Sequence, residues 1–314
     1  MRKSFLSGLA IVMASFLVTS CSKEDDSNKV EKRNETKEET PKGNEENNSS
    51  GENSNENNTG TENKRLFVYK ALVEDVTGTW CVNCPGVTYA IQSAKAATTP
   101  LKDRFVVAAI HYGGRRRYYE PMEIDEYASI LNHLATLPPK NGDTTFTFYW
   151  VAPWYKMNRN EWLYQRRLGQ IVFEHLENTP SSPIGIKISS ELTQTGGTVS
   201  VGFKTTENEL NNLKYHVFVT EDNITYHQSG AGNNFRHDDV LRAFYGDGSG
   251  NTLETLTKDK EIAKTDLRVS YRLMSREKLA NVKVVVFVTD ANTKAVLNVQ
   301  EAKANETKEY QYAE

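Results

Sequence analysis

The pair Cys81 and Cys84, in the stretch "GTWCVNCPG", constrains the fold of this chain more than any other feature. An apolar, β-branched run at 66–76 precedes the pair and predicts a strand. Apolar residues then recur at helical spacing over 87–97, so the cysteines lie at a strand-to-helix junction, with Cys81 near the helix N-terminus. Backbone N–H groups and the helix dipole at such a junction favour a thiolate and lower the pKa of the first cysteine.

Three alternatives compete with a redox dithiol at this pair. A haem attachment site needs His after the second cysteine, where this chain has Pro85. A zinc site needs two further ligands, but the six histidines show no pairing at ligand spacing and the sequence has no second CxxC. A structural disulfide across so short a loop restricts the unfolded chain little. The spacing therefore favours a redox dithiol, and no metal or other cofactor is expected.

The first 20 residues predict a secretory signal peptide (1–20). Arg2 and Lys3 precede a mostly apolar run at 5–18, which is shorter than the roughly 20 apolar residues that a transmembrane helix needs. The run ends in "LVTSC", which resembles a bacterial lipobox. We therefore expect cleavage before Cys21 and lipidation of Cys21, which would tether the mature chain to a membrane without spanning it.

The segment 21–65 predicts a lipidated cysteine followed by a disordered linker. Residues 31–65 contain no apolar residue type, so this part cannot bury enough surface to fold.

The run Ser22–Asp26, basic and then acidic, resembles surface-export signals of Bacteroidetes lipoproteins; an ordinary solvated charge run is the alternative. The net charge of −3 argues against a strongly basic nucleic-acid binder. We expect a lipid-anchored outer membrane protein exposed at the cell surface.

The stretch "VEDVTGTWCVNCP", at 73–85, resembles the active-site region of thioredoxins. More specifically, it is similar to the thioredoxin-like domain of the outer membrane protein 28-related family of Bacteroidetes lipoproteins. The resemblance implies that Cys81 is an exposed attacking thiolate and Cys84 a buried resolving thiol. It also implies that Trp80 shields the pair.

A buried acid that assists proton transfer from the second cysteine is a further implication of the resemblance. Asp75 lies six residues before Cys81, where thioredoxins place this acid. Its neighbour Glu74 is the alternative, because strand alternation is expected to let one of the two side chains point inward. We prefer Asp75, and a solvated carboxylate at a strand end is the remaining interpretation of each.

A cis-proline facing the cysteines is also implied by the resemblance. By position, the candidates are Pro138, Pro139 and Pro153. Pro153 is favoured because it precedes a short predicted strand followed by Asn-Arg at 158–159, as in the family. His111 ends another predicted strand and is expected at the rim of the site rather than among its catalytic groups.

Beyond Thr179-Pro180 the apolar pattern changes to a period of two, as in "IGIKI" at 184–188 and "VKVVVFV" at 282–288. About seven such runs predict an immunoglobulin-like β-sandwich. The predicted fold is therefore an α/β thioredoxin-like domain at 66–180 followed by an all-β immunoglobulin-like sandwich at 181–314.

These expectations favour a membrane-tethered thiol–disulfide oxidoreductase that works outside the cytoplasm. Cys81 would attack a substrate disulfide, and Cys84 would resolve the mixed disulfide. The expected partners are protein thiols and disulfides of the envelope or cell surface, with no nucleic acid. The alternative is a surface adhesin or binding protein that keeps the fold as a scaffold, since no electron donor is obvious outside the outer membrane.

The lipid anchor can be tested with Cys21→Ala. We expect this change to abolish labelling with radioactive palmitate and to release the protein from membranes without detergent, because the acylated sulfur is lost. Cys81→Ala is the matched control and should keep both the label and the membrane association. An unchanged membrane fraction for Cys21→Ala would contradict the lipoprotein interpretation.

Overall fold

The structure is a computed structural model that describes residues 65–314 apart from 115, 138–151, 164, 259 and 276–277. The predicted signal peptide, Cys21 and the linker up to residue 64 lie outside the described residues, as do Pro138 and Pro139. Within the described part, no helix has the length and apolar character needed to cross a bilayer.

Strands dominate the described residues, with three α-helices among them. The helices are α1 (Cys84–Lys95), α2 (Tyr127–Leu134) and α3 (Leu168–Asn178). The strands before residue 180 are β1 (Phe67–Val68), β2 (Ala71–Thr77), β3 (Phe105–His111), β4 (Trp154–Met157) and β5 (Glu161–Trp162). The strands after it are β6 (Ser181–Ser182), β7 (Ile184–Leu192), β8 (Gly196–Thr205), β9 (Glu209–Leu210), β10 (Leu213–Glu221), β11 (Ile224–Gln228), β12 (Gly232–His237), β13 (Val240–Phe244), β14 (Asn251–Leu253), β15 (Leu256–Thr257), β16 (Ile262–Ser270), β17 (Val282–Asp290) and β18 (Val296–Lys303).

One mixed sheet of nine strands runs through the molecule in the order β18-β17-β10-β13-β3-β2-β4-β5, with β14 also pairing with β10. Its two halves meet where β13 pairs in parallel with β3. At this junction Val240 lies opposite Ala109, and the N–H of Ala109 donates to the carbonyl of Asp239 over 2.8 Å. Strands from before and after residue 180 therefore belong to the same sheet.

Both faces of this sheet are covered. On one face α2 packs over strands of both halves, in a core that includes Val106 of β3 and Phe287 of β17. On the other face, α1 and α3 cover the first-half strands, and a three-stranded sheet, β16-β8-β7, covers the second-half strands. Alternate side chains of a strand point to opposite faces, which is why Val284 and Val285 lie in different cores.

The predicted fold class, an α/β thioredoxin-like domain followed by a separate immunoglobulin-like sandwich, is wrong. The described residues are mainly β, and the strands on either side of residue 180 share one sheet and one of its cores. The period-two pattern after residue 180 correctly indicated strands. It carried no information on which sheet those strands join, because pairing partners are set by long-range contacts.

A substitution at Phe287 tests the core that strands from before and after residue 180 share. It is fully buried, stacks on His216 at a ring-centroid distance of 4.3 Å and contacts Phe218 edge-on at 5.1 Å. We expect Phe287→Ala to lower the free energy of unfolding by about 3–5 kcal/mol, because it removes buried apolar area and leaves a cavity. Urea unfolding measures the change.

The control for this prediction is Tyr119→Ala. Tyr119 is 82% exposed, so its removal should change stability by no more than about 0.5 kcal/mol. Similar effects of the two substitutions would contradict the placement of Phe287 in the core.

Candidate functional site

The two cysteines lie where β2 passes into α1, as the sequence predicted. β2 ends at Thr77 and α1 begins at Cys84, with Pro85 in its first turn, where the missing N–H leaves no hydrogen bond unmade. Cys81 lies three residues before the helix and forms a disulfide with Cys84, their Cα atoms 5.4 Å apart. The pair is thus held at the N-terminus of a helix.

The exposure of the pair differs from the prediction. Cys81 was expected to be exposed, but it is 4% exposed and Cys84 is 1% exposed, whereas Val82 between them is 64% exposed. The tip of the β11–β12 hairpin contacts the loop here, since Gln228 donates a hydrogen bond to the Cys81 carbonyl. The disulfide therefore lies just below the surface, next to a segment from a distant part of the chain.

Trp80 is half-buried beside the pair. Its Nε1–H donates to the carbonyl of Tyr112 over 2.7 Å, and its ring stacks on Tyr118 at 5.3 Å. Tyr112 contacts the same indole edge-on at 5.9 Å. These contacts orient the indole next to the disulfide loop.

Glu74 and Asp75 are both buried, contrary to the expectation that one of the two would point inward. The reason is that both faces of the sheet are covered. Glu74 accepts two hydrogen bonds of 2.9 Å from the buried guanidinium of Arg159. The Glu74 carboxylate is therefore occupied by a bidentate ion pair on one face, while Asp75 points to the other.

Asp75 has no such partner. Its Oδ1 is buried without a hydrogen bond from any described residue. Burial raises the pKa of Asp75 to about 7, because the charged carboxylate loses its hydration. The side chain lines a cavity of about 40 Å³ together with α1 residues, His111 and His237. That volume suffices for one water molecule.

A second carboxylate, Glu120, also binds the loop. It accepts hydrogen bonds from both the N–H and the hydroxyl of Thr79, and it pairs with Nδ1 of His111 at 3.1 Å. Burial alone would raise the pKa of Glu120, but the charge of His111 and the hydrogen bonds from His111 and Thr79 outweigh it and hold the pKa below its usual value. His111 is thus inside the site, fully buried, rather than on its rim.

His237, at the end of β12, packs edge-on against His111 with ring centroids 5.4 Å apart. Burial, followed by the neighbouring charge of His111, lowers the pKa of His237 to about 3, so this imidazole is neutral at pH 7. Its Nε2 is buried and has no hydrogen-bond partner among the described residues. Two unpaired polar groups, one on Asp75 and one on His237, therefore line the same small cavity.

The Ala152–Pro153 peptide bond is cis. Pro153 immediately precedes β4, whose Trp154 lies opposite Val76 of β2. The proline is therefore attached to the strand that neighbours the one leading into the disulfide loop.

Sequence reasoning missed three residues of this site: Glu120, Gln228 and His237. Each is a polar residue in a segment with no motif, and each joins the site only through contacts with residues distant in the sequence. Within the described ranges, no group of three or more His, Cys, Asp or Glu side chains is arranged to hold a metal ion.

Comparison with known families gives one match. The profile of the family described as outer membrane protein Omp28 matches residues 150–308, which is about half of the chain. This region runs from β4 through β18 and excludes the two cysteines. No curated protein sequence matches the chain significantly.

Solved structures resemble the chain at low sequence identity. HBP35 of Porphyromonas gingivalis aligns with a TM-score of 0.60 and 16% identity, covering 76% of each chain. A protein of Agrobacterium tumefaciens aligns with a TM-score of 0.47 and 13% identity over 77% of this chain and 97% of that one. A domain of the outer membrane lipoprotein Omp28 from P. gingivalis aligns with a TM-score of 0.27 and 24% identity over 40% and 92%. The HBP35 match supports a shared overall fold.

Asp75→Asn tests the buried acid through the pH dependence of stability. Because the pKa of Asp75 is raised from 3.8 to about 7, the folded state binds a proton that the unfolded state has lost, and stability falls as pH rises between these values. We expect the variant to gain up to about 1.4 kcal/mol per pH unit relative to wild type over that interval. The gain should be constant above it and absent below it.

Urea unfolding of the oxidised protein from pH 4 to pH 8 measures this gain. Asp125→Asn is the control, since Asp125 is exposed, and its difference from wild type should not vary with pH. A pH-independent difference for Asp75→Asn would show that Asp75 ionises in the folded protein as it does in the unfolded chain.

Proposed function

Because this chain belongs to the Omp28 family of outer membrane proteins, we propose that it is an envelope thiol–disulfide oxidoreductase whose redox pair is Cys81 and Cys84. The observation that carries the proposal is the disulfide between these residues at the start of α1, with the unpaired acid Asp75 buried behind that helix. The family profile supports the outer membrane as the location. The role of the cysteines rests on the site itself, since the profile begins after them.

The proposed reaction is a two-step exchange. The Cys81 thiolate attacks one sulfur of a substrate disulfide; a mixed disulfide forms, and the other substrate sulfur leaves with the electron pair. Cys84 then attacks the Cys81 sulfur, so that the substrate leaves with both sulfurs reduced and the Cys81–Cys84 disulfide forms again. Two electrons and two protons pass from the dithiol to the substrate, and the reverse sequence oxidises a substrate dithiol.

Asp75 is proposed as the group that takes a proton during this exchange. Cys84 must lose its proton to attack, and a nearby carboxylate with a pKa of about 7 can accept it at neutral pH. β2, which carries Asp75, leads into the disulfide loop, and the Asp75 cavity is bounded by α1, which Cys84 begins. Because this pKa lies near neutral pH, the Asp75 carboxyl can take up and release a proton under the conditions in which thiols exchange disulfides.

Protein thiols and disulfides are the proposed substrates. Three large, well-exposed apolar side chains lie near the pair: Val82, Tyr89 and Tyr118. Val82 lies within the disulfide loop, Tyr89 lies on α1 and Tyr118 stacks on Trp80. Exposed aromatic residues next to a reactive group favour contact with an apolar polypeptide segment over contact with a small polar solute.

Attachment to the membrane is proposed through lipidated Cys21. The charged run Ser22–Asp26 is proposed to direct the protein to the cell surface, and the polar linker to hold the folded part away from the lipid. On this proposal the redox pair acts on envelope or surface proteins.

A surface binding protein is the second candidate. A groove of about 700 Å³, lined by Tyr119, Glu123, Asp125 and Arg272, favours it. In that case the Cys81–Cys84 disulfide would be a local structural bridge with no exchange activity.

The trapping of mixed disulfides separates these candidates. Cys84→Ser leaves Cys81 able to attack but removes the thiol that resolves the intermediate. We expect Cys84→Ser, expressed in its native envelope, to migrate on non-reducing gels as adducts with other proteins that collapse to monomer with reductant. Cys81→Ser is the matched control and should give few adducts, because Cys84 is the more deeply buried of the two.

The purified wild-type protein should also accelerate the reduction of insulin disulfides by a small thiol. Equal adducts from the two variants would contradict the assignment of Cys81 as nucleophile. No adducts from either variant, together with no insulin reduction, would favour the binding protein.

A further inference from the structure

The β11–β12 hairpin comes from the second half of the chain but lies on the disulfide loop. Its strands pair antiparallel, from Ile224 opposite His237 to Gln228 opposite Gly232. The tip, residues 228–232, contacts the loop at 78–82, and the far end of β12 places His237 at the Asp75 cavity. The hairpin therefore extends across the site from the cysteines to the buried acid.

The tip binds the loop through backbone carbonyls. Nε2 of Gln228 donates to the carbonyls of Gly78 (3.1 Å) and Cys81 (2.8 Å), which uses both of its N–H bonds. The N–H of Ser229 donates to the carbonyl of Thr79 over 2.8 Å. Gln228 is buried, at 2% exposure, so these are hydrogen bonds shielded from water.

Gly230 brings the tip into close contact with Val82. It has a positive φ of 82°, and a Cβ at this position would lie 2.6 Å from the Val82 carbonyl oxygen. Gly232, also at the tip, has a φ of 99°, but a Cβ there would meet no atom within 4 Å. Both glycines have a positive φ, and they differ in whether the loop is near.

An apolar contact holds the hairpin to α1 as well. Phe235 of β12 packs edge-on against Tyr89, with ring centroids 5.6 Å apart. Tyr89 is half exposed, so a polypeptide that binds this ring from solvent would compete with Phe235 for it.

The consequence of these contacts is restricted access to the sulfurs. Exchange requires a thiolate to approach a disulfide sulfur, and both sulfurs belong to residues that are nearly inaccessible. A small thiol needs little room to reach Cys81. A cysteine within a polypeptide brings its flanking backbone to the same place and would collide with the hairpin tip where Gly230 meets Val82 of the loop.

We propose that the tip of the β11–β12 hairpin, through Gln228, Ser229 and Gly230, determines which thiols reach the Cys81–Cys84 disulfide: small thiols pass, and a polypeptide reacts only when the tip lifts. This proposal rests on the proposed redox function of the pair. Gln228 acts as a positioning residue that holds the loop under the tip and takes no part in the bond exchange. Contact of a substrate with Tyr89 would help to release the hairpin.

The test compares two reductants on the oxidised full-length protein in detergent. Dithiothreitol is the small dithiol, and reduced, unfolded ribonuclease A is the polypeptide thiol. In each reaction, substrate thiols supply two electrons and two protons, the Cys81–Cys84 bond breaks, and a new disulfide forms in the reductant. Alkylation of the released Cys81 and Cys84 thiols, followed by mass spectrometry, gives the two rate constants.

Gly230→Ala pushes the tip away from Val82, and Gln228→Ala removes the two hydrogen bonds to the loop. We expect each variant to raise the rate constant with ribonuclease about tenfold and that with dithiothreitol by less than about threefold, as expected when a few hydrogen bonds hold the tip closed. Gly232→Ala is the matched control: it also places a side chain at a positive φ but without the contact, and the ratio of the two rate constants should stay at its wild-type value.

A ratio that is unchanged in both variants, or rate constants that rise equally with both reductants, would overturn the role of the tip. If both variants fail to fold, the wild-type protein is measured at urea concentrations below its unfolding transition. Lifting of the tip should then raise the rate constant with ribonuclease alone. The absence of such a rise would also overturn the proposed role of the tip. Reduction by dithiothreitol without any reaction with ribonuclease, in wild type and in every variant, would instead refute the proposed function.

Discussion

The parallel pairing of β3 with β13 is the interaction on which the rest of the structure depends. It joins strands that lie about 130 residues apart in the sequence into one sheet, and the core under α2 contains residues from both sides of the junction. A buried ion network reinforces the joint, since Asp239, next to β13, binds Lys95 of α1 and Lys283 of β17. Without this junction, the hairpin tip would not reach the disulfide loop and His237 would not reach the Asp75 cavity.

The buried carboxylates of Glu74 and Asp239 are paired with basic side chains, whereas the buried carboxyl of Asp75 has no such partner among the described residues. Glu74 is neutralised by a bidentate Arg159, and Asp239 by two lysines, so each charge is compensated where it is buried. Asp75 has no counter-charge among the described residues and keeps an unpaired oxygen. A buried carboxyl without a partner costs stability, and such groups occur preferentially at functional sites. This contrast between neighbouring residues supports a chemical role for Asp75.

The region matched by the family profile and the Cys81–Cys84 disulfide contribute different parts of the candidate site. The profile spans 150–308, which includes the hairpin and its residues Gln228 and His237, but it does not reach Cys81 or Cys84. The pair and its acid come from the first half, and the groups that cover the pair come from the second. If both proposals hold, the part that carries the family signature controls access to chemistry that the other part performs.

Local sequence determined the local features of this protein. The strand, the two cysteines and the helix follow one another as the residue pattern predicted, and the period-two runs after residue 180 form strands. These features depend on residues within about ten positions of each other, where propensity and periodicity act. The proton-accepting role of Asp75 stays a prediction, although the sequence pointed to the residue.

The tertiary structure alone decided the fold class, the burial of Cys81 and the membership of Glu120, Gln228 and His237 in the site. It also decided that Glu74 and Asp75 are both buried, since this requires that both faces of their sheet be covered. Each of these outcomes depends on pairing between distant segments. A repeating apolar pattern shows that a strand has a buried face, but many partners can bury it equally well, so the choice emerges only when the whole chain is packed.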